Sequence, residues 1–313
     1  MTKFIMLVGL PASGKSTVAE YLKNNGFTVH SSDSIREELF ADVNAQDNNS
    51  EVFSILHKRV KHDLSKGISC VYDATNMSMK RRKVFLDEIK KFDCEKICML
   101  FAISVEICKE RNQERDRQVS DEVYDKMLKS FWVPMYYEGW DRIVFITEKN
   151  YNYYYPIDKT MNFEQHNKHH QLKLFDHMFQ AAKYVCNYSD NEFKKSQRYK
   201  NLIAATLNHD IGKLFTQTFV DKKGRITEDA HYYGHESYGT YIYLLSELYS
   251  VIDTELTSEL YDIMYRTALI NWHMRPLIVW KQSEKARMRD RKLIGEDMYN
   301  DIMLLHEADL AAH

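Results

Sequence analysis

The sequence predicts two folds in series: an α/β domain with a parallel sheet flanked by helices over residues 1–150, a linker over 151–162, and an all-α domain over 163–313. Three observations lead there. Up to about Ile146, short apolar runs alternate with longer helical patterns, the texture of a parallel sheet covered on both faces. After about Asn162 the strand-like runs stop and apolar residues recur at three- and four-residue spacing. Ten of the thirteen histidines stand at or after His166, so the second half carries a chemistry the first does not. A length of 313 residues suits two cores of ordinary size.

Taken in order, Phe4–Val8 is the first strand. The run FIMLVGL is too short to span a membrane and passes straight into Pro11 and Lys15, so it reads as buried sheet. Thr28–His30, Ser69–Tyr72, Ile97–Ala102 and Ile143–Ile146 supply the other strands. Glu148–Asp158, EKNYNYYYPID, is an aromatic crossing whose tyrosines fit a base-stacking surface or, more commonly, a packed seam. Leu172–Tyr188, Ser237–Val251 and Leu256–Trp272 are the long helices of the second half.

Composition narrows the class. With 44% hydrophobic and 28% charged residues, 4 Pro and 10 Gly, the chain is globular without long flexible linkers. A formal charge of -2 gives no global basic field, so any nucleic-acid contact must come from local clusters. Lys80-Arg81-Arg82-Lys83 and the KQSEKARMRDRK stretch, Lys281–Lys292, are the candidates, although each taken singly also reads as a solvated helix face. Five cysteines, odd in number and mostly inside apolar runs, read as reduced thiols of a cytoplasmic protein with no membrane partner.

The motif GLPASGKS at Gly9–Ser16 fits G-x-x-x-x-G-K-[ST], and the strand before it and amphipathic Val18–Leu22 after it give the strand–loop–helix setting the motif needs. Gly9, Leu10, Pro11, Ala12, Ser13, Gly14, Lys15, Ser16 and Thr17 would cradle ATP or another nucleoside triphosphate with Mg²⁺. Backbone N–H groups and the helix N-terminus face the phosphates, Lys15 reaches the β/γ-phosphates and Ser16 holds Mg²⁺. Just after the second apolar run, Asp33 and Arg36 stand three apart, where a carboxylate can accept a hydroxyl proton while a guanidinium holds an acceptor phosphate. Asp33 taken alone reads more readily as a plain helix N-cap. Asp73, Thr75 and Asn76 end the third strand at the crevice, and Arg111, Arg115 and Arg117 lie in a segment able to close over the γ-phosphate.

Over roughly residues 3–147 these features resemble the kinase module of phage-type 5′-hydroxyl polynucleotide kinases: the cradle, Asp33 with Arg36, DATN followed by Arg81-Arg82, and RN with the lid arginines. The resemblance implies that Asp33 is the general base, that Arg36 holds the acceptor-side phosphate, and that a lid arginine, best matched by Arg115 with Arg111 and Arg117 as alternatives, contacts the donor phosphates. Asp73, Thr75, Asn76, Arg81 and Arg82 would complete the acceptor site.

In the second half, His177 in LFDHMFQAA, His209-Asp210 in LNHDIGK and Asp309 in EADLAA offer two imidazoles and two carboxylates from three helical segments, a mixed set suited to a borderline divalent ion. His235 in GHESYG and His273 in NWHMRP would add a second position. Over roughly residues 163–313 this order resembles the HD phosphohydrolase superfamily, and most specifically the HD domain of bacterial CCA-adding tRNA nucleotidyltransferases, through Gln165, Asn167, His169, His170, HDIGK, YGHESYG and NWHM. The resemblance implies that His177, His209, Asp210 and Asp309 hold one or two transition-metal ions (Mn, Ni, Co, Fe or Zn), with His169 or His170 and Lys213 near the substrate phosphate. Such an ion lowers the pKa of a bound water and polarises the phosphoryl oxygen.

The two modules together are similar to bifunctional end-healing enzymes. They imply phosphorylation of RNA or DNA 5′-hydroxyl ends and removal of a 2′,3′-cyclic, 2′- or 3′-phosphate, feeding an RNA ligase. The alternatives are a nucleoside or sugar kinase fused to a nucleotidase, and a kinase with a regulatory HD domain.

Overall fold

The structure, a computed structural model, describes residues 1–41, 49–148, 151–167, 172–250 and 257–312. Packing divides it into one unit of Met1–Tyr124 with Pro134–Asn150, and another of Asp125–Val133 with Tyr151–His313.

The first unit is an α/β layer structure. Its strands β1 (Thr2–Gly9), β2 (Thr28–Ser31), β3 (Cys70–Asp73), β4 (Cys94–Phe101) and β5 (Arg142–Ile146) form one sheet in the order β2-β3-β1-β4-β5. All four pairings are parallel. Helices α1 (Lys15–Asn24), α2 (Ser32–Phe40), α3 (Asn49–Ser65), α4 (Met79–Ile89) and α5 (Val105–Gln113) connect the strands or follow them, and α6 (Asp121–Leu128) has its first four residues in this unit. Central β1 is buried from Phe4 to Gly9 because helices cover both faces, which is why it reads as a continuous apolar run and not an alternation. Since β1 lies between β3 and β4, the chain reverses its direction of travel across the sheet there. The C-terminal edges of β2, β3 and β1 therefore open side by side, the place where α/β sheets bind ligands.

The second unit is built from α7 (Leu174–Tyr188), α8 (Asn191–Lys194), α9 (Gln197–Thr206), α10 (Lys213–Thr216), α11 (His235–Ser250), α12 (Thr257–Trp272), α13 (Glu284–Ile294) and α14 (Glu296–Ala311). Helix α14 packs on α7, α11 on α12 and α12 on α9, burying Leu174, Ala181, Leu202, Tyr241, Leu244, Leu269 and Leu305 among others. A single π-helical turn, Pro276–Trp280, joins α12 to α13.

Two expectations need correction. The second half is not purely helical: β6 (Thr218–Val220) and β7 (Ile226–His231) form an antiparallel hairpin. Asp221 builds its turn by accepting from Lys223 N–H and Arg225 N–H through one carboxylate oxygen, and Gly224 takes φ +80°. The strands were hidden because three residues of β6 and a polar, partly exposed β7 give no apolar run. The stretch 151–162 is also packed structure and not a free linker. Tyr151 and Tyr153 lie against Tyr249, and the Tyr155 hydroxyl donates to Asn208 Oδ1 at 2.6 Å, all within the helical unit. Residues Asp125–Val133 join that unit as well: Phe131 meets Tyr241, Trp132 meets Trp272, and Val133 N–H donates to Asn271 Oδ1 at 2.9 Å. Among the described residues no helix is long and apolar enough to cross a membrane.

Candidate functional site

Each unit carries a polar site of its own. In the α/β unit, the loop after β1 turns through left-handed conformations at Ala12 (φ 57°) and Gly14 (φ 93°), the backbone alternation that makes an anion nest. Gly9 N–H is tied to the Thr75 carbonyl at 3.0 Å, and the Tyr124 hydroxyl donates to the Pro11 carbonyl at 3.3 Å, fixing the start of the loop. Ser13 is buried inside it, whereas Ser16 and Thr17 are exposed in the first turn of α1. Lys15 is 8% exposed and its Nζ donates to the Leu10 carbonyl at 2.5 Å and to Ser13 Oγ at 3.4 Å. Burial pushes this ammonium down to about 8, against the pull of Asp73, with Arg115 adding to the downward push. Of the three arginines expected in the lid, Arg115 is near enough for its charge to act on Lys15.

On the acceptor side, Ser31 and not Asp33 is the N-cap of α2, its Oγ accepting from Asp33 N–H at 3.3 Å. The Asp33 carboxylate is therefore free of the helix end. Arg36 Nη1 lies 2.6 Å from its Oδ1 and Arg117 Nη1 lies 3.1 Å from its Oδ2. Asp73, at the end of β3, has its carboxyl raised by burial, partly offset by Lys15 and by a hydrogen bond from Ser31, with Asp33 close enough to oppose its charge. Lys15, Asp33, Asp73, Arg36 and Arg117 form one charged group at the sheet edge. Arg111 stands apart, paired with Glu148.

The structure moves three of the expected acceptor residues into support. Asn76, at φ 50°, donates from Nδ2 to the Leu7 carbonyl at 2.7 Å and so braces β1, and Thr75 serves through its carbonyl. Arg82 is sealed in the interior: Nε and Nη2 pair with both Glu138 oxygens at 2.8 and 2.7 Å, and Nη1 donates to the Asn76 and Met77 carbonyls at 3.0 Å. Its side chain is fully buried, so it cannot grip an acceptor phosphate; only Arg81 of the pair is exposed. Two further residues take roles that the sequence did not assign to them. Arg117 holds Asp33, and Asn112 closes the lid segment by bonding Val119 through both N–H and carbonyl at 2.9 and 3.1 Å. The sequence signal for both was there, in the RN pair and the arginine cluster, without a way to assign roles.

In the helical unit, ligand-type atoms of His177, His209, Asp210 and Asp309 lie within 4.8 Å of one another, and those of Asp210, His235 and His273 do likewise. Four buried imidazoles and a carboxylate come from α7, the loop after α9, α11 and the end of α12; Asp309 comes from α14. Asp210 is the shared member. His177 Nε2 is 3.3 Å and His209 Nε2 3.5 Å from its Oδ2, while His235 Nε2 is 3.1 Å and His273 Nε2 3.6 Å from its Oδ1. Asp309 Oδ1 adds contacts of 3.0 and 3.4 Å to His177 and His209.

Every imidazole is oriented from behind. The Nδ1 atoms of His177, His209, His235 and His273 meet the carbonyls of Ala312, Thr206, Tyr232 and Ile270 at 3.2, 2.7, 2.7 and 2.7 Å. Each Nδ1 therefore donates to its carbonyl and each Nε2 faces inward, the atom a metal ion would take, which is the arrangement that metal-binding histidines show. The Nε2 of buried His209 has no hydrogen-bond partner among the described residues, and His235 and His273 point their Nε2 atoms at each other across 3.2 Å. Orphaned and opposed acceptors in a largely buried site fit a cation, and the N/O set fits a borderline transition metal. Burial alone would raise the Asp210 and Asp309 carboxyls, yet Lys213 and His209 around the first, and the close approach of His177 and His209 to the second, hold both well below the carboxylate range. Burial opposes charge on His177, but its hydrogen bonds to Asp210 and Asp309 lift it to about 9.

Lys213 sits beside this cluster, its Nζ 2.6 Å from Asp210 Oδ2 and 2.8 Å from Gln165 Oε1. His169 and His170 lie outside the described residues. One packing feature brings the two groups of ligand-type residues together. A Cβ on Gly212 would stand 2.0 Å from the His235 carbonyl oxygen and one on Gly239 2.8 Å from Gly212 N, so the turn at Asp210–Lys213 meets α11 backbone to backbone.

Comparison with known proteins reaches the first half. Residues 4–134 match the AAA domain family model, which is less than half of the chain. No curated protein matches the chain. Among solved structures it is similar to a putative kinase from Chloroflexus aurantiacus (14% identity, 47% of this chain and 88% of that one, TM-score 0.40). A gluconokinase from Sinorhizobium meliloti is similar at 16% identity, over 48% of this chain and 84% of that one, with TM-score 0.36. A chain of the Pnkp1/Rnl/Hen1 complex shares 24% identity over 39% of this chain and 42% of that one, with TM-score 0.31. The first unit thus has the architecture of a P-loop kinase: a parallel sheet flanked by helices with a phosphate cradle after β1.

Proposed function

We propose that the chain heals nucleic-acid ends: its P-loop unit transfers the γ-phosphate of ATP to a 5′-hydroxyl, and its helical unit, an HD phosphohydrolase, removes a terminal 2′,3′-cyclic, 2′- or 3′-phosphate. The observation that carries the reading is the pairing in one chain of an acceptor carboxylate clamped by two arginines beside a P-loop with a separate cluster of four histidines sharing Asp210.

On the kinase side, Lys15 and the nest neutralise the donor phosphates, Ser16 offers a hydroxyl to Mg²⁺, and Arg115 covers the transferring group. Asp33 takes the proton of the attacking hydroxyl. Both its oxygens are engaged, so an arriving acceptor phosphate must draw Arg36 or Arg117 away, freeing the base as substrate binds. On the hydrolytic side, His177, His209, Asp210 and Asp309 would hold one metal ion and Asp210, His235 and His273 a second. A bound ion supplies an activated water and a Lewis acid for the phosphoryl oxygen. Lys213, held by Gln165 and Asp210, brings a positive charge beside the cluster for the phosphate dianion.

The products, a 5′-phosphate and a free 3′-hydroxyl, are what an RNA ligase joins, which places the chain upstream of such a step in the cytoplasm. The test supplies ATP, Mg²⁺ and Mn²⁺, Ni²⁺ or Co²⁺ with an RNA bearing 5′-hydroxyl and 2′,3′-cyclic phosphate ends, each end being read separately. Lys15→Ala should abolish only the 5′ reaction and His209→Ala only the 3′ reaction. A nucleoside or sugar acceptor as good as RNA would return the first unit to small-molecule metabolism, and a metal-free cluster with no hydrolysis would make the second a regulatory module.

A further inference from the structure

The residues that follow His273 were the second basic cluster of the sequence, and the function above leaves them without a role. Arg275 comes two residues after His273, the π turn next, and then Lys281 and α13. Helix α13 is fastened to that turn by Asp290, whose buried carboxylate accepts from Arg275 Nη2 at 2.6 Å and from Trp280 Nε1 at 3.0 Å. Its placement is therefore tied to the same backbone that delivers His273 to the cluster.

The basic residues of this segment fall into two classes. Arg287, Arg289 and Arg291 are paired, with Glu284, Asp290 and Glu296 respectively. Lys281, Lys285 and Lys292 are exposed and make no ion pair among the described residues. Lys285, Met288 and Lys292 are spaced by three and four, one stripe of the helix, and Met288 is 52% exposed within it. The helix that carries the stripe is held beside the cluster, because the Arg275 that its Asp290 binds stands two residues after His273. Burial disfavours charge on His306, with His273 and, more weakly, Lys281 adding to it, and His306 stands one turn before Asp309 on α14. His306 is half-buried and makes no hydrogen bond among the described residues.

Resting on the proposed phosphoesterase activity, we propose that Lys281, Lys285 and Lys292 form a phosphate track for a single-stranded polynucleotide. The strand's terminal phosphate enters the histidine–aspartate cluster past His306 while its preceding phosphodiesters run along α13. Three unpaired ammonium groups leading away from a buried phosphate site match a chain of regularly spaced anions, and the exposed Met288 between them gives a base or sugar an apolar contact. A protein partner would not need the stripe to end at the cluster, and a mononucleotide would not need the stripe at all.

The test compares the full chain with the variant Lys281→Gln, Lys285→Gln, Lys292→Gln, for which exposed positions make misfolding avoidable, and with the corresponding triple arginine variant. Binding of a fluorophore-labelled RNA decamer with a 3′-phosphate is followed by anisotropy in both proteins from 50 to 200 mM salt. With a slope near −0.7 per contact on single strands, three contacts account for a slope of about −2, or roughly 20-fold in affinity over that range. The glutamine variant should lose that component and the arginine variant should keep it. Equal affinity and equal salt slope in wild type and glutamine variant would overturn the track. Hydrolysis is the second arm, with Mn²⁺ present and a mononucleoside 3′-phosphate beside the decamer. A selective rise in KM for the decamer supports the track, and an equal effect on both substrates refutes it. If neither is hydrolysed by wild type, the phosphoesterase reading fails while the binding arm still decides whether the track exists.

Discussion

Arg82 separates two roles that its neighbour Arg81 makes easy to confuse. The guanidinium makes two bonds to Glu138 and two to backbone carbonyls, and Glu138 in turn accepts from Trp140 Nε1 at 3.2 Å and Met135 N–H at 3.1 Å. Both side chains of the ion pair are 0% exposed. Arg82→Ala would leave the Glu138 carboxylate buried beside a cavity, and removing one partner of such a pair costs about 3–5 kcal/mol. For a unit of this size each kcal/mol lowers the melting temperature by about 2–4 °C, so a fall of roughly 10 °C is expected. Thermal unfolding read by circular dichroism measures the fall, and hydrogen exchange across β4 and Met135–Trp140 assigns it to the α/β unit. The double variant Arg82→Met, Glu138→Leu should recover much of the loss, because it removes both charges together. Arg81→Ala should leave the melting temperature within about 2 °C, as exposed positions do, and weaken oligonucleotide binding instead. Were Arg82→Ala to melt like wild type and lose oligonucleotide binding, the guanidinium would be a surface phosphate contact and the burial argument would be wrong.

Three further outcomes follow from the geometry. Lys15, lowered to about 8, is charged at pH 7 and mostly neutral at pH 9, so ATP affinity measured by calorimetry should fall about tenfold across that interval; a flat profile would remove the ammonium from phosphate binding. Asp210→Ala should empty both metal positions in elemental analysis after chelator-free purification, whereas His235→Ala should cost one ion and spare the other; equal losses would argue against two positions sharing Asp210. Gly239→Ala should push α11 from the Asp210–Lys213 turn, costing about 1–3 kcal/mol and weakening metal retention at His235 and His273 before that at His177, His209 and Asp309. Unchanged metal content and stability in that variant would show that the close backbone approach is not needed.

Much was legible in the sequence because its cause is local. A buried parallel strand must be apolar on both faces, so Phe4–Val8 announces β1, and a phosphate nest needs glycines followed by Lys15 at fixed offsets from that strand. Helical periodicity likewise marks α7, α11 and α12. Histidine and aspartate types could be collected as a set, since metal chemistry restricts which side chains serve. What the sequence could not hold was the partner of each side chain. Arg81 and Arg82 are adjacent and identical in type, yet the turn of α4 sends one to solvent and the other to Glu138, fifty-six residues away. Asp33 reads as an N-cap until Ser31 is seen occupying that position. The sharing of Asp210 between two groups depends on α7, α11, α12 and α14 converging on one turn, and on Gly212 and Gly239 letting backbones touch. Those are distances between elements far apart in the chain, fixed by packing and by no local propensity, and only the tertiary structure supplies them.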